Sequence, residues 1–236
     1  TSDCILYNQV VLNADLNVTG KKHIYTTIRG GGSNRHFLIE SGSPTLTLRW
    51  LNLTGGVSTG FEPHYNSGNA GGSISVQRNC DIFIVHCAFH KNKADYIGGA
   101  ISIATSGAFV SMNYTMFIGN WNKNYGGAVF SRGLLHAENT NFEGNIAEKR
   151  GGALALDGPA TLRLTQVQLK GNKVTSDNGI NNQVYGGGGI FLAGKVNMHI
   201  IECTFFNNTA QSYGHEILTI NNQNGVLQNE PEGTPS

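Results

Sequence analysis

The stretch that decides the fold is Gly98-Gly99-Ala100-Ile101-Ser102-Ile103, followed nineteen residues after Gly98 by Phe117-Ile118-Gly119-Asn120. The same two marks return as Gly71-Gly72-Ser73-Ile74 with Phe89 and Asn92, as Gly126-Gly127-Ala128-Val129 with Phe142 and Asn145, and as Gly151-Gly152-Ala153-Leu154 with Leu169 and Asn172. Gly187-Gly188-Gly189-Ile190 with Phe205 and Asn208 closes the clear series, and Gly214-His215-Glu216-Ile217 is a degenerate further start. The starts at 71, 98, 126, 151, 187 and 214 lie 27, 28, 25, 36 and 27 residues apart, which is the period of a solenoid. Two rungs are longer than the rest, so loops are expected to be inserted at Val57 to Ala70 and at Val174 to Val184.

Aligning the repeats on the Phe column sorts the remaining side chains by environment. Seven residues before it stand Ile82, Val110, Leu135, Leu162 and Met198, and five before it Ile84, Met112, Ala137, Leu164 and Ile200. Two before it come Cys87, Thr115, Thr140, Val167 and Cys203, small or β-branched and compatible with an interior. This spacing describes two short strands of period 2, separated by a bend that turns two successive residues outward. Ile101 and Ile103, or Leu154 and Leu156, add a third strand after the Gly pair. Three short strands per repeat predict an all-β, right-handed parallel β-helix of about seven rungs, each ~4.8 Å above the last.

The paired Gly-Gly-Ala-[Ile/Leu/Val] and Phe-x-x-Asn marks resemble the repeats of the chlamydial-type polymorphic outer-membrane proteins, whose passengers are surface β-helices of the broad pectin-lyase-like superfamily. The resemblance covers about Leu48 to Ile220 and rests on five paired occurrences in register. It implies a cell-surface or secreted, adhesin-like protein. Those proteins end in a membrane β-barrel, whereas Asn224 to Ser236 is a polar tail without alternating lipid-facing strands, so an entire autotransporter is not expected, while a passenger fragment stays open.

The 236 residues suit one solenoid domain, divided by expectation into an N-terminal strand or cap (1–23), the β-helix (24–222) and a polar C-terminal tail (223–236). Thirty-two Gly against five Pro fit a chain that turns often. Charged residues are 13% and the formal net charge is +1, so there is no electrostatic footprint for nucleic acid or an anionic membrane. No apolar run approaches the ~18 to 20 residues of a spanning helix, and the start at Thr1, without a signal peptide, fits a processed form. Membrane insertion by this chain is not expected, and an extracellular or cell-surface location is.

Cys4, Cys80, Cys87 and Cys203 are even in number. Cys87 and Cys203 share a column four rungs apart, ~19 Å at the rung spacing, which is too far for a bridge. Cys4 is left free to approach Cys80 if its segment folds as a cap. Gly30-Gly31-Gly32 reads as a turn, since no helical pattern or P-loop Lys follows it. Asn92, Asn120, Asn145, Asn172 and Asn208 are expected to stack as an amide ladder, over an aromatic column of Phe89, Phe117, Phe142 and Phe205 interrupted by Leu169. A leucine-rich repeat has a similar period, and Leu162 to Asn172 imitates one, but no repeat contains an amphipathic helical segment.

A carbohydrate-active lyase or hydrolase on this scaffold needs paired carboxylates on one outward face. Glu138 and Glu202 lie two or more rungs apart, Asp81 sits elsewhere, and His136 and His199 share a column with Arg163 between them, which disfavours a metal. No catalytic residue, cofactor or metal site is therefore assigned, and the sequence favours a non-enzymatic structural or adhesin-like module over a polysaccharide-active enzyme. Asn17, Asn52, Asn113 and Asn207 head glycosylation sequons, and Asn52 and Asn113 fall in outward columns. A β-helix also exposes unpaired backbone groups on its first and last rungs. Expected partners are accordingly another copy of the chain, stacked head to tail into a filament, or a cell-surface protein or glycan.

Overall fold

The computed structural model of the chain describes residues 3–59, 69–177 and 184–220, together with the backbone strand Leu227–Asn229. Each strand inside a sheet pairs in parallel with the strands one turn before and one turn after it, so the chain winds as a right-handed parallel β-helix. One turn shows the plan: Ile101–Ile103, Phe109–Asn113, Met116–Ile118 and Trp121–Asn122 precede the next Gly pair. We name the four resulting sheets after these strands: the post-glycine sheet, the long sheet, the phenylalanine sheet and the short sheet.

The three expected strands head sheets of eight strands each, and the fourth, two residues long, heads a sheet of six. The short strand escapes the column reading because only its second residue turns inward, and that residue is small: Ala94, Asn122, Ala147, Val174 and Ala210. The helix also starts before Ile24. Cys4–Leu6, Val10–Leu12 and Leu16–Thr19 pair in register with the strands one turn later, so of the strand or cap expected for this segment it is a first rung of strands that forms. Leu227–Asn229, within the expected tail, pairs with Met198–Ile200. The rest of that tail, like residues 60–68 and 178–183 of the two expected insertions, lies outside the described residues.

The interior columns close as their spacing predicts. Ile82, Val110, Leu135 and Leu162 are wholly buried, as are Ile84 and Ala137 beside them. Phe89, Phe117 and Phe142 stack face to face with ring centroids 4.8 Å apart and planes within 4° and 9° of parallel. That separation is the rung spacing itself, so the ring column and the backbone ladders keep one pitch.

Corners make the rung possible, and two devices serve them. In the Gly pair the first residue adopts a left-handed conformation (Gly98, φ 63°), while a Cβ on the second, Gly99, would collide with the carbonyl oxygen of Gly127 in the next rung. The corner three residues before the Phe column is left-handed too, but holds Trp50, His86, Tyr114, Asn139, Gln166 and Glu202, with φ between 46° and 56°. Each costs roughly 1 to 2 kcal/mol over a Gly. Contacts between successive corners offset it: Trp50 stacks on His86 at 4.0 Å, His86 on Tyr114 at 4.9 Å, and Gln166 Nε2 donates to Glu202 Oε2 at 2.8 Å.

Truncating Phe117 to Ala removes the middle ring of the stack and is expected to cost about 3 to 5 kcal/mol in equilibrium denaturation. A loss under about 1 kcal/mol would place the ring outside the packed column.

Candidate functional site

The five ladder asparagines, Asn92, Asn120, Asn145, Asn172 and Asn208, are brought together in one buried column. Asn120 Nδ2 donates to Phe89 O in the preceding rung (3.0 Å) and to Asn145 Oδ1 in the next (2.9 Å), while its Oδ1 accepts from the backbone N (3.0 Å) and Nδ2 (3.1 Å) of Asn92. Asn145 and Asn172 repeat the pattern. Both donors and both acceptor sites of the amide are thus occupied, which only Asn or Gln can do, and Gln is one methylene too long.

Ladder ends pose a problem, because the last amide on each side lacks a partner amide. At the far end Asn208 Nδ2 donates to the Glu216 carboxylate, in the position where earlier rungs carry Ser, Ala or Gly. At the near end the ladder position is Gly56, whose N–H donates to Asn92 Oδ1, and a Cβ there would strike the His36 ring. His36 fills the vacated space. Its Nε2 lies 3.2 Å from Ile28 O, and its Nδ1 lies 2.9 Å from Ser73 Oγ. A carbonyl oxygen only accepts, so the neutral ring carries its proton on Nε2 and accepts a hydrogen bond from the Ser73 hydroxyl at Nδ1. Burial holds this imidazole far down, at a pKa of about 4.

The other sequence candidates scatter. Asn17 and Asn207 are exposed, whereas Asn52 and Asn113 are half-buried; Asn113 donates to Glu138 at 3.4 Å and the Asn52 Oδ1 is buried without a hydrogen bond. Exposure therefore favours the opposite pair of sequons from the one that column position suggested. All four cysteines are free thiols, so Cys4 and Cys80 are not bridged. Burial pushes the Cys80 thiol up to about 12 and Cys87 to about 11, which keeps both inert. His136, Arg163 and His199 stand in register on the outer face of the long sheet. Among the described residues no group of three or more His, Cys, Asp or Glu converges as metal ligands would.

Sequence reasoning missed the outer face of the post-glycine sheet, which is buried instead of solvated. Ser75, Ser102, Phe130, Ala155 and Phe191 point outward there, yet none is more than 3% exposed. Phe130, Ala155 and Phe191 pack with Ile97 and Ala70, and Tyr96 and Tyr125 lean on them, forming a second apolar cluster outside the helix. A groove of about 110 Å³ runs along this cluster. Arg150 lies across it, its guanidinium 5.1 Å from the Tyr125 ring and 4.9 Å from the Phe191 ring, with Nε donating to Val184 O at 2.9 Å. Arg132 covers Phe130 and is paired with Asp157 at 3.2 Å. The signal was present in the sequence: Ile97, Tyr125 and Arg150 each precede a Gly pair, and the mid-strand residue changes from Ser to Phe between Ser102 and Phe130.

His36 makes stability pH-dependent in a stated direction. Its folded pKa of about 4 lies below the unfolded value near 6.5, so the unfolded chain takes up the proton first. The contribution is whole above about pH 6.5 and is lost progressively down to about pH 4, for a total of about 3 kcal/mol. Denaturation midpoints followed from pH 7 to 4.5 are expected to fall, and His36→Ala, less stable at pH 7, is expected to show a shallower fall. An unchanged slope in that variant would assign the effect to other groups.

No family model matches the chain, and no solved structure matches it. Among curated proteins it is similar to the metabotropic glutamate receptor-like protein R of Dictyostelium discoideum, 34% identical over 99 residues. The match covers 40% of this chain and 6% of that protein.

Proposed function

We propose that the chain is a non-enzymatic, adhesin-like β-helical module of an extracellular or cell-surface protein. The observation that carries this reading is how the repeat uses its polar side chains. The ladder amides are saturated by one another, and seven acids are each engaged by a neighbouring rung or turn: Asp3, Glu143 and Asp157 in ion pairs, and Asp15, Glu138, Glu202 and Glu216 as hydrogen-bond acceptors. These carboxylates brace the rod singly, and an acid and base pair flanking a glycosidic bond requires two that face one substrate. The Gly-Gly-Ala and Phe-x-x-Asn marks support the same reading through their resemblance to polymorphic outer-membrane repeats.

Incubating the chain with polygalacturonate and related glycans is expected to release no reducing ends or unsaturated products. Turnover abolished by a single carboxylate substitution such as Asp157→Asn would replace this reading with that of a polysaccharide-active enzyme.

Head-to-tail self-association extends the proposal. Among the described residues the strands Cys4–Leu6, Val10–Leu12 and Leu16–Thr19 each have a hydrogen-bonded neighbour on one side only, and Ile5 and Val11 are 48% exposed. Such an edge accepts another parallel strand, whether a further rung or the opposite end of a second copy. Light scattering of the 236-residue chain is expected to show mass rising with concentration, and removal of residues 1–19 to weaken it. Equally monodisperse monomers in both cases would refute assembly through this edge.

A further inference from the structure

We infer that the groove over the post-glycine sheet is a binding site for a small carboxylic acid with a compact apolar body, and that Arg150 is the group that takes the carboxylate. Three observations lead there. Arg150 is held by two rings and a backbone carbonyl, which leaves both terminal nitrogens of its guanidinium without a hydrogen bond or ion pair among the described residues. A guanidinium fixed in this way offers two parallel N–H donors at little further entropic cost, the arrangement that recognises a planar carboxylate. Nearby Arg132 differs, because Asp157 already neutralises it. Among the described residues lining the groove, Arg150 is therefore the one positive charge without a carboxylate partner.

Its floor is apolar, made by Phe130, Ala155 and Phe191, so the remainder of the ligand is apolar where it lies against them. Size limits that remainder. About 110 Å³ is less than the ~150 Å³ of an engineered cavity that accepts benzene, so the body is a short aliphatic chain and not a large ring system. A polymer lying lengthwise is disfavoured for a further reason: the backbone N–H and C=O groups beneath the groove are spent in pairing successive rungs, so nothing on the floor can receive a peptide main chain. Ser102 adds an independent sign of unfinished polar chemistry. Its Oγ is fully buried, has no hydrogen-bond partner, and stands in the outward column between Ser75 and Phe130, both of which line the groove. This inference does not depend on whether the module is an adhesin or an enzyme.

The test is an NMR titration of the full chain with butyrate, and with butyramide as its uncharged isostere. Butyrate is expected to saturate shifts at Phe130, Ala155 and Phe191, with butyramide at least tenfold weaker. Arg150→Gln is expected to weaken butyrate about tenfold or more, while Arg132→Gln stays within about threefold. If Arg150→Gln fails to fold, the comparison of acid with amide on the unsubstituted chain still decides. Equal affinity for acid and amide, unchanged butyrate binding in Arg150→Gln, or binding of polygalacturonate without any of butyrate would each overturn the assignment.

Discussion

The asparagine amide is the constraint on which the rest of this structure depends. In a parallel β-helix the sheets pair most of the backbone, but the buried carbonyls of the phenylalanine column, Phe89 O, Phe117 O and Phe142 O, each take their donor from the side-chain amide of the next rung. One side chain per rung supplies it, and must in turn be satisfied itself. The chain solves both by repetition: each amide completes its hydrogen bonds with the amide of the next rung, so no Asn in the series is satisfied unless its neighbour is in place. Stability is therefore cooperative along the axis, although every contact joins adjacent rungs only.

Repetition also dictates where the sequence must depart from its own pattern. A ladder made solely of Asn leaves an unmatched amide at each end, and the ends are where His36 and Glu216 appear. His36 reproduces the amide's two tasks with two ring nitrogens, donating to the Ile28 carbonyl and accepting from Ser73, provided that the ring stays neutral. The protonation cost is a consequence of this substitution: an amide does not titrate, and an imidazole does. Glu216 acts at the opposite end as an acceptor only, which is the role that the final Asn208 leaves open.

Fold and ladder were legible because they obey a period. Columns of apolar residues at fixed offsets from Phe89, Phe117, Phe142 and Phe205, and of Asn three residues later, identify the inside without any pairwise information. What stayed hidden lacked that redundancy. The short strand buries one small residue per rung, too weak a mark to read. The left-handed corner at His86 and Tyr114 carries no Gly, because ring stacking between rungs offsets the backbone cost that would otherwise select one. The outer cluster was hidden by a change of chemistry along a column, from Ser75 and Ser102 to Phe130, Ala155 and Phe191, which only the rung-by-rung register makes visible.

The placement of that cluster follows from where the rung tolerates change. Between the ladder Asn and the Gly pair the chain is tied to its neighbours by a two-residue strand and an isolated bridge, such as Ile97 to Tyr125 and Tyr125 to Arg150. Elsewhere in the turn, an added residue would shift a buried column out of register and turn its side chains outward. Both long rungs accordingly open at this corner, after Ser58 and after Val174, and rejoin it at Asn69 and Val184. The groove lies between those two places, bordered by Ala70 at one end and reached by the Val184 carbonyl at the other. The corner that matters least to stacking is thus free to carry bulky and charged residues. Arg150, Tyr125 and Tyr96 occupy it because nothing in the ladder or the core requires something smaller there.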